Sequence, residues 1–295
     1  MDLQLHSPIE QIFDPLFTEK KVEIFVKRDD MIHPFISGNK WRKLKYILSN
    51  AESLNKKHLI TFGGAFSNHL LATACAAARF GFKSTGFVRG EKVQNDILML
   101  CQLFGMKLLF TDRLSYREKH SLYTAHFQDD TDAIFIDEGG AGELGVMGCA
   151  ELVHELPENY DHIFCAAGTG TTAAGIIRSI DGQTVTSHVH IIPVLKGGSF
   201  IGTEIKKYTN NKFILHPGYH CGGYAKTTPE LLTFIQNFCK LTGILIEPVY
   251  TGKMFFALYD LIQKDQFLAG SKILAIHTGG LLGILGMSSK FNLNS

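Results

Sequence analysis

The sequence predicts an α/β protein of two domains, each an open, mainly parallel twisted sheet flanked by helices, with a cleft between them. Three observations lead there. From about residue 59 to residue 276, short apolar runs alternate with helical stretches, the pattern of strand–helix–strand crossovers. Three of those runs stop at glycine turns that precede helices, and ligands of open parallel sheets bind beyond such strand ends. With 295 residues, 45% of them hydrophobic, the chain is long enough for two cores of ordinary size. The expected division is a large domain of residues 1–40 and 141–295 and a small α/β domain of residues 41–140.

Each element has a local reason. Residues 22–27 read as a strand, and Arg28-Asp29-Asp30 leads into a loop through Pro34 and Gly38. Asn39 is the expected N-cap of the next helix. Trp41, Leu44, Ile47, Leu48, Ala51 and Leu54 then recur at helical spacing and mark a buried stripe. Strands follow at 59–62, 84–88, 107–110 and 133–136, enough for one compact unit. Between them lie helices from Ser67 to Phe80, stopped by Gly81, from Asp96 to Phe104, and from Ser115 to Phe127. The second unit has helices at 143–156, from about 173, at 229–242 and at 254–263. Its strands are at 162–166, 188–194 and 272–276, with a short extended piece at 244–246.

Composition excludes several functions. A net charge of +1 offers nothing to nucleic acid or an acidic membrane surface. No apolar run approaches the ~20 residues of a membrane span. The start, Met1 to Pro8, has neither a basic leader nor an apolar core. The six cysteines form no C-x-x-C and sit mostly among apolar residues, so buried free thiols in a cytoplasmic protein are expected, with no metal site.

One stretch is electrostatically odd. Lys40, Arg42 and Lys43 crowd the first turn of a helix, where the backbone dipole disfavours cations. A nearby anion, such as a phosphate, would resolve the conflict, and one lysine would then be free to serve as a covalent anchor. The plain alternative is a solvated basic helix end. Gly168-Thr169-Gly170-Thr171-Thr172 supplies what a phosphate needs, since glycines admit close backbone approach and amides at a helix start bind anions. The run also fits G-x-G-x-x-A, but the next strand ends in Val194-Leu195-Lys196-Gly197. No acid stands there to hold a ribose, which argues against a nicotinamide cofactor. Ser67-Asn68-His69 opens a helix after a glycine turn and reads either as a simple cap or as a carboxylate grip. No G-x-S-x-G elbow is present.

Six blocks in order carry a resemblance over nearly the whole chain. They are Lys27-Arg28-Asp29-Asp30, Gly38 to Leu44, Gly63 to His69, Thr169 to Thr172, Pro248-Val249-Tyr250-Thr251-Gly252-Lys253 and His277-Thr278-Gly279-Gly280. Together they resemble pyridoxal-phosphate enzymes of the tryptophan-synthase-β fold type, and within them the 1-aminocyclopropane-1-carboxylate (ACC) deaminase/D-cysteine desulfhydrase family. The resemblance implies pyridoxal 5'-phosphate as cofactor, joined to Lys40 as a Schiff base, and a small amino acid as substrate. It implies that Lys43, Thr169, Gly170, Thr171 and Thr172 hold the phosphate, Asn68 the ring hydroxyl oxygen, and that Thr251 faces the pyridine nitrogen. Catalysis would fall to Lys40, Ser67 and Tyr250, and the substrate would meet Ser67, Asn68, His69, Tyr224, Tyr250 and Thr278. A homodimer is common in this fold type. The loop after Arg89-Gly90-Glu91 is shorter than is usual there.

Three positions separate the branches. Thr251 stands where the deaminases are expected to carry glutamate, Thr278 where they have leucine, and His69 where they have glutamine. All three resemble D-cysteine desulfhydrase. A threonine hydroxyl makes the pyridine ring a weaker electron sink than a carboxylate does. That suits β-elimination of a thiolate, which leaves without full protonation because a thiol ionises near about 8.5. D-cysteine to pyruvate, ammonia and hydrogen sulfide is therefore the expected reaction, with ACC deamination and a weakly catalytic pyridoxal-phosphate carrier or sensor as alternatives.

Overall fold

The computed structural model describes residues 3–180 and 187–291; Met1 and Asp2, part of the stretch read for a leader, lie outside them. In chain order the elements are β1 (Ile9–Ile12), α1 (Pro15–Lys20), β2 (Glu23–Lys27), α2 (Asn39–Ser53), β3 (His58–Gly64), α3 (Asn68–Phe80), β4 (Lys83–Arg89), α4 (Asp96–Leu103), β5 (Lys107–Thr111), α5 (Lys119–Phe127), β6 (Ala133–Phe135), α6 (Glu143–His154), β7 (His162–Ala167), α7 (Thr171–Ile180), β8 (His188–Pro193), α8 (Phe200–Lys206), β9 (Ile214–Leu215), α9 (Pro229–Thr242), α10 (Thr251–Gln263) and β10 (Lys272–Ile276).

The strands form two sheets. One has the order β1-β2-β10-β7-β8-β9 and the other β5-β4-β3-β6. Every pairing is parallel except β1 with β2. Both faces of the larger sheet are covered, so its strands read as continuous apolar runs. Period-2 alternation then sorts the residues: Ile273 and Ala275 of β10 join the core under α1, α9 and α10, while Leu274 and Ile276 join the core under α6, α7 and α8. In the smaller sheet, α2 and α3 pack over one face, around Trp41, Leu44, Leu59, Ala72 and Ile136. Phe62, Phe87 and Tyr116 fill the other face, against α5.

Capping follows the sequence at α3, where the Ser67 hydroxyl accepts from the Leu70 amide at 3.3 Å and Gly81 closes the helix at φ 76°. It does not at α2. Gly38, at φ 59°, holds the N-cap position, and Asn39 is the first helical residue. The reason is tertiary: a Cβ on Gly38 would come within 1.9 Å of the Thr278 carbonyl oxygen, so only glycine fits where the chain crosses the end of β10. The side chain of Asn39 turns away to donate to Thr172 Oγ1 at 2.9 Å. Trp41, Leu44, Ile47, Leu48 and Ala51 are buried, but Leu54 ends the helix and is 55% exposed. Residues 244–246 join no sheet, and β1, α1, α8 and β9 are additions to the expected elements.

The solvated-helix reading of the first turn of α2 is also overturned. Arg42 and Lys43 are buried. Arg42 meets Asp29 and Glu155 through two forked contacts, so the anions that answer this cation are carboxylates of the chain itself. All six cysteines are free thiols, four of them buried and Cys221 and Cys239 half-buried. No helix among the described residues is long and apolar enough to cross a membrane.

Candidate active site

The carboxyl ends of β3, β7 and β10 and the starts of α2, α3 and α7 surround a cavity of about 500 Å³. Its wall carries Lys40, Lys43, Ser67, Asn68, His69, Thr169, Gly170, Thr172, Tyr224, Tyr250 and Thr278. Two expected residues are not on it. Thr171 turns its hydroxyl to that of Thr169, 3.1 Å away. Thr251 is buried behind Tyr250. A second hollow of about 1140 Å³ shares Gly64, Asn68, Arg89, Tyr224 and Tyr250 with the first, so the two tyrosines stand at the junction.

Lys40 donates to Asn39 Oδ1 at 2.9 Å. Burial, and then the neighbouring Lys43 ammonium, bring its amine down to about 7. Lys43 donates to the Gly139 carbonyl at 3.1 Å, and burial lowers its ammonium too. Neither lysine has a carboxylate within ion-pair distance among the described residues. Opposite them, Gly170 turns at φ 82° into α7, whose first amides have no carbonyl partner within the helix.

Ser67, Asn68 and His69 face the cavity from the start of α3. Because the Ser67 oxygen accepts from Leu70, its own proton remains to be donated. Asn68 is held against Gly280, where a Cβ would come within 2.4 Å of its Nδ2. His69 Nε2 lies 2.7 Å from Thr61 Oγ1, and that hydroxyl donates to the Ile136 carbonyl at 3.0 Å. The network assigns the proton to Nε2 and leaves Nδ1 as an unpaired acceptor. Burial and then Lys40, Lys43 and Lys119 hold the imidazole well below its ordinary pKa, so it is neutral. The Tyr250 ring packs over Gly168, and the Tyr224 ring meets it edge-on at 6.1 Å. Burial lifts the Tyr250 phenol well above 10, so it keeps its proton.

Glu247 is the residue that sequence reasoning missed. It is buried, and its carboxylate accepts from the amides of Val249, Tyr250 and Thr251 at 2.7, 2.7 and 2.8 Å. The Thr251 hydroxyl donates to Glu247 Oε1 at 3.3 Å and accepts from the Glu247 amide at 3.0 Å. Burial raises the Glu247 carboxyl against the pull of those donors. The available signal was an acid three residues before a tyrosine that opens a helix: it caps α10, since carboxylates favour helix starts. Lys119, bonded to Asp137 at 2.7 Å, and Arg89 also line the cavity without having been singled out.

Residues 8–279 match the family described as "Pyridoxal-phosphate dependent enzyme". The chain belongs to that family. A Thermotoga maritima protein named "Putative 1-aminocyclopropane-1-carboxylate deaminase" is 30% identical over 98% of this chain and 99% of its own. An Arabidopsis thaliana protein named "Bifunctional D-cysteine desulfhydrase/1-aminocyclopropane-1-carboxylate deaminase, mitochondrial" is 29% identical over 89% of this chain and 73% of its own. A crystal structure titled "ACC deaminase homologue" superposes with a TM-score of 0.85 at 28% identity, covering 98% of this chain and 93% of that one. A fungal L-serine ammonia-lyase from Rhizomucor miehei shares the fold, with a TM-score of 0.74 at 16% identity, covering 98% of each chain.

The residues present fit the family's cofactor. An aldehyde needs a neutral amine, and the Lys40 amine, brought down to about 7, lies on the cavity wall. A phosphate needs hydrogen-bond donors, and the helix-start amides and hydroxyls of the Thr169–Thr172 turn, with Lys43, are groups of that kind. Lys43, with no carboxylate within ion-pair distance among the described residues, adds a donor on the same wall.

Proposed function

We propose that this pyridoxal-phosphate dependent enzyme is a lyase that eliminates the β-substituent of a small amino acid, D-cysteine foremost, to give pyruvate, ammonia and hydrogen sulfide. The observation that carries the reading is a near-neutral lysine amine in a cleft that also holds an anion-binding turn and a hydroxyl-tipped helix start. On this reading residues 1–40 and 141–295 form the cofactor-binding domain and residues 41–140 the domain that grips the substrate.

When bound, the cofactor draws electrons away from the substrate's α-carbon. The chain does the rest. Lys40 would hold the cofactor covalently, and its free amine would take the α-proton. Lys43, Thr169, Gly170 and Thr172 fix the phosphate, with Thr171 supporting Thr169. Ser67 donates its hydroxyl proton to the substrate carboxylate, aided by the positive end of α3. Asn68 and Thr278 orient the ring and the substrate beside it. His69 offers Nδ1 as an acceptor for a substrate N–H. Tyr250, held protonated by burial, donates toward the departing sulfur, with Tyr224 closing that side.

Thr251 supports a sulfur leaving group over a cyclopropane. Off the cavity wall, with its hydroxyl already donated to Glu247, it brings no carboxylate of its own to keep a pyridine nitrogen fully protonated. One observation favours ACC deamination as the second reading: Glu247 stands directly behind that hydroxyl and lends it carboxylate character. The test is a product screen for pyruvate, 2-oxobutyrate and sulfide against D- and L-amino acids and ACC. Sulfide and pyruvate from D-cysteine are expected. A clear preference for ACC would overturn the reading of Thr251, and sulfide release that survives Lys40→Ala would overturn the role of Lys40.

A further inference from the structure

Lys253 lies on α10, three residues past Tyr250 and fully buried. Its partners are two backbone carbonyls, Gly223 at 2.7 Å and Val194 at 3.3 Å. A buried ammonium is costly and persists where fixed dipoles replace its water. A hydrophobic side chain of the same length would serve packing as well, so packing alone does not account for it.

What Lys253 grips is unusual. Around Tyr224 the backbone is left-handed at four positions: Cys221 at φ 49°, Gly222 at 90°, Gly223 at 121° and Ala225 at 55°. Two of these are not glycine, and such residues hold that region only when their surroundings impose it. The loop's other ties are local or exposed. Gly222 and Gly223 donate to His220 Nδ1 and to the His220 carbonyl, each at 2.9 Å, the Cys221 thiol donates to the Tyr219 carbonyl at 3.5 Å, Lys226 donates to the Gly223 carbonyl at 3.1 Å, and Lys290 reaches the Ala225 carbonyl at 3.3 Å. At its apex Tyr224 meets the Tyr250 ring where the two hollows join. The second carbonyl belongs to Val194, just past β8, whose amide donates to Ala167 at 3.0 Å, beside the Gly168 turn.

We propose that Lys253 is a positioning residue: it clamps the strained Cys221–Ala225 loop to the end of β8, and so sets Tyr224 against Tyr250 as the substrate-side wall. This rests on the reading that the cleft takes an amino acid. Lys253 touches neither substrate nor cofactor and acts through Tyr224.

The test uses the full-length holoenzyme and the most active amino acid of the product screen. Lys253→Met keeps the side-chain length and removes the donors. Expected are a loss of about tenfold or more in kcat/KM, faster hydrogen exchange at Gly222, Gly223 and Lys226, and unchanged cofactor absorbance. In a Tyr224→Ala background the same substitution should cost less than about twofold, because both changes act on one wall. Gly223→Ala disturbs the loop independently, since φ there is 121° and a Cβ would meet Lys196 Cβ at 3.3 Å. It should reproduce the kinetic loss, and it decides the matter if Lys253→Met does not fold. Unchanged kcat/KM in the folded variant, or an equal loss on top of Tyr224→Ala, overturns the clamp. A wild-type protein that turns over nothing in the screen refutes the substrate reading instead, and loop exchange in Lys253→Met then decides the clamp.

Discussion

Replacing Arg42 by methionine probes what anchors the helix that presents Lys40. Arg42 is 1% exposed and Asp29 0%. Arg42 Nε and Nη2 meet Asp29 Oδ2 and Oδ1 at 2.6 and 2.7 Å, and Nη1 and Nη2 meet Glu155 Oε1 and Oε2 at 2.8 and 2.9 Å. After the substitution Glu155 keeps Lys27, 2.9 Å away. Among the described residues Asp29 keeps only the Ser7 hydroxyl, at 2.6 Å, and loses its forked cation. Leaving one member of a buried pair uncompensated costs about 3–5 kcal/mol. The partly exposed Glu155 contact adds at most about 1 kcal/mol. Methionine restores much of the aliphatic packing, so the loss is mainly electrostatic. At about 2–4 °C per kcal/mol for chains of this order, the melting temperature should fall by roughly 6–24 °C. Scanning calorimetry on the apoprotein measures it free of ligand linkage. Asp29→Asn combined with Arg42→Met should recover most of the loss, because no charge is then stranded. A single variant that melts within about 2 °C of the parent would refute the argument, as that is less than 1 kcal/mol on the same scale.

Three further outcomes follow from the site. Cofactor uptake by the apoprotein should accelerate as pH rises through about 7 and then level, because only neutral Lys40 adds to a carbonyl. A stopped-flow absorbance trace that keeps climbing toward the ordinary lysine value of about 10.4 would show the amine unperturbed. Gly38→Ala forces a Cβ to within 1.9 Å of the Thr278 carbonyl at φ 59° and should weaken cofactor binding at least about tenfold, roughly 1.4 kcal/mol, by displacing the start of α2; equilibrium dialysis measures it. Thr251→Glu sets a second buried carboxylate against Glu247, so it should lower the melting temperature unless Glu247→Gln accompanies it. A single variant as stable as the parent would mean that the two side chains do not share one pocket.

Much of the architecture was legible because local and tertiary demands agree. α3 has a serine cap, an apolar interior and a terminal glycine, and α9 and β10 run between their expected residues. The alternation of strands and helices placed three glycine turns at strand ends, and those turns do line the cavity. Legibility failed where distant backbone decides. Asn39 has the chemistry of a cap, yet the Thr278 carbonyl dictates that Gly38 takes that place. The cations of α2 pointed correctly to something negative nearby, but spacing could not divide them. Arg42 turns inward to Asp29 and Glu155, while Lys40 and Lys43 face the cavity. Glu247 was passed over because its partners are backbone amides, which leave no pattern of side-chain types.

The division among those cations has a consequence for how the two sheets share the work. Along its length α2 buries its apolar stripe in the core of the smaller sheet. Its N-terminal turn is tied to the larger one, through Asn39 to Thr172 and the Thr278 carbonyl and through Arg42 to Asp29 and Glu155. Lys45 and Tyr46 extend those ties to Glu151 on α6. Lys40 is therefore registered to the threonine turn by contacts independent of the strand that delivers Ser67. If Ser67 grips the substrate carboxylate as proposed, changes at β3 and α3 should alter that grip while leaving the Asn39–Thr172 and Arg42–Asp29 contacts in place. On the proposed reading the residues assigned to the cofactor are held mainly from the larger sheet and Ser67 from the smaller, with Asn68 and Thr278 standing where the two tasks meet.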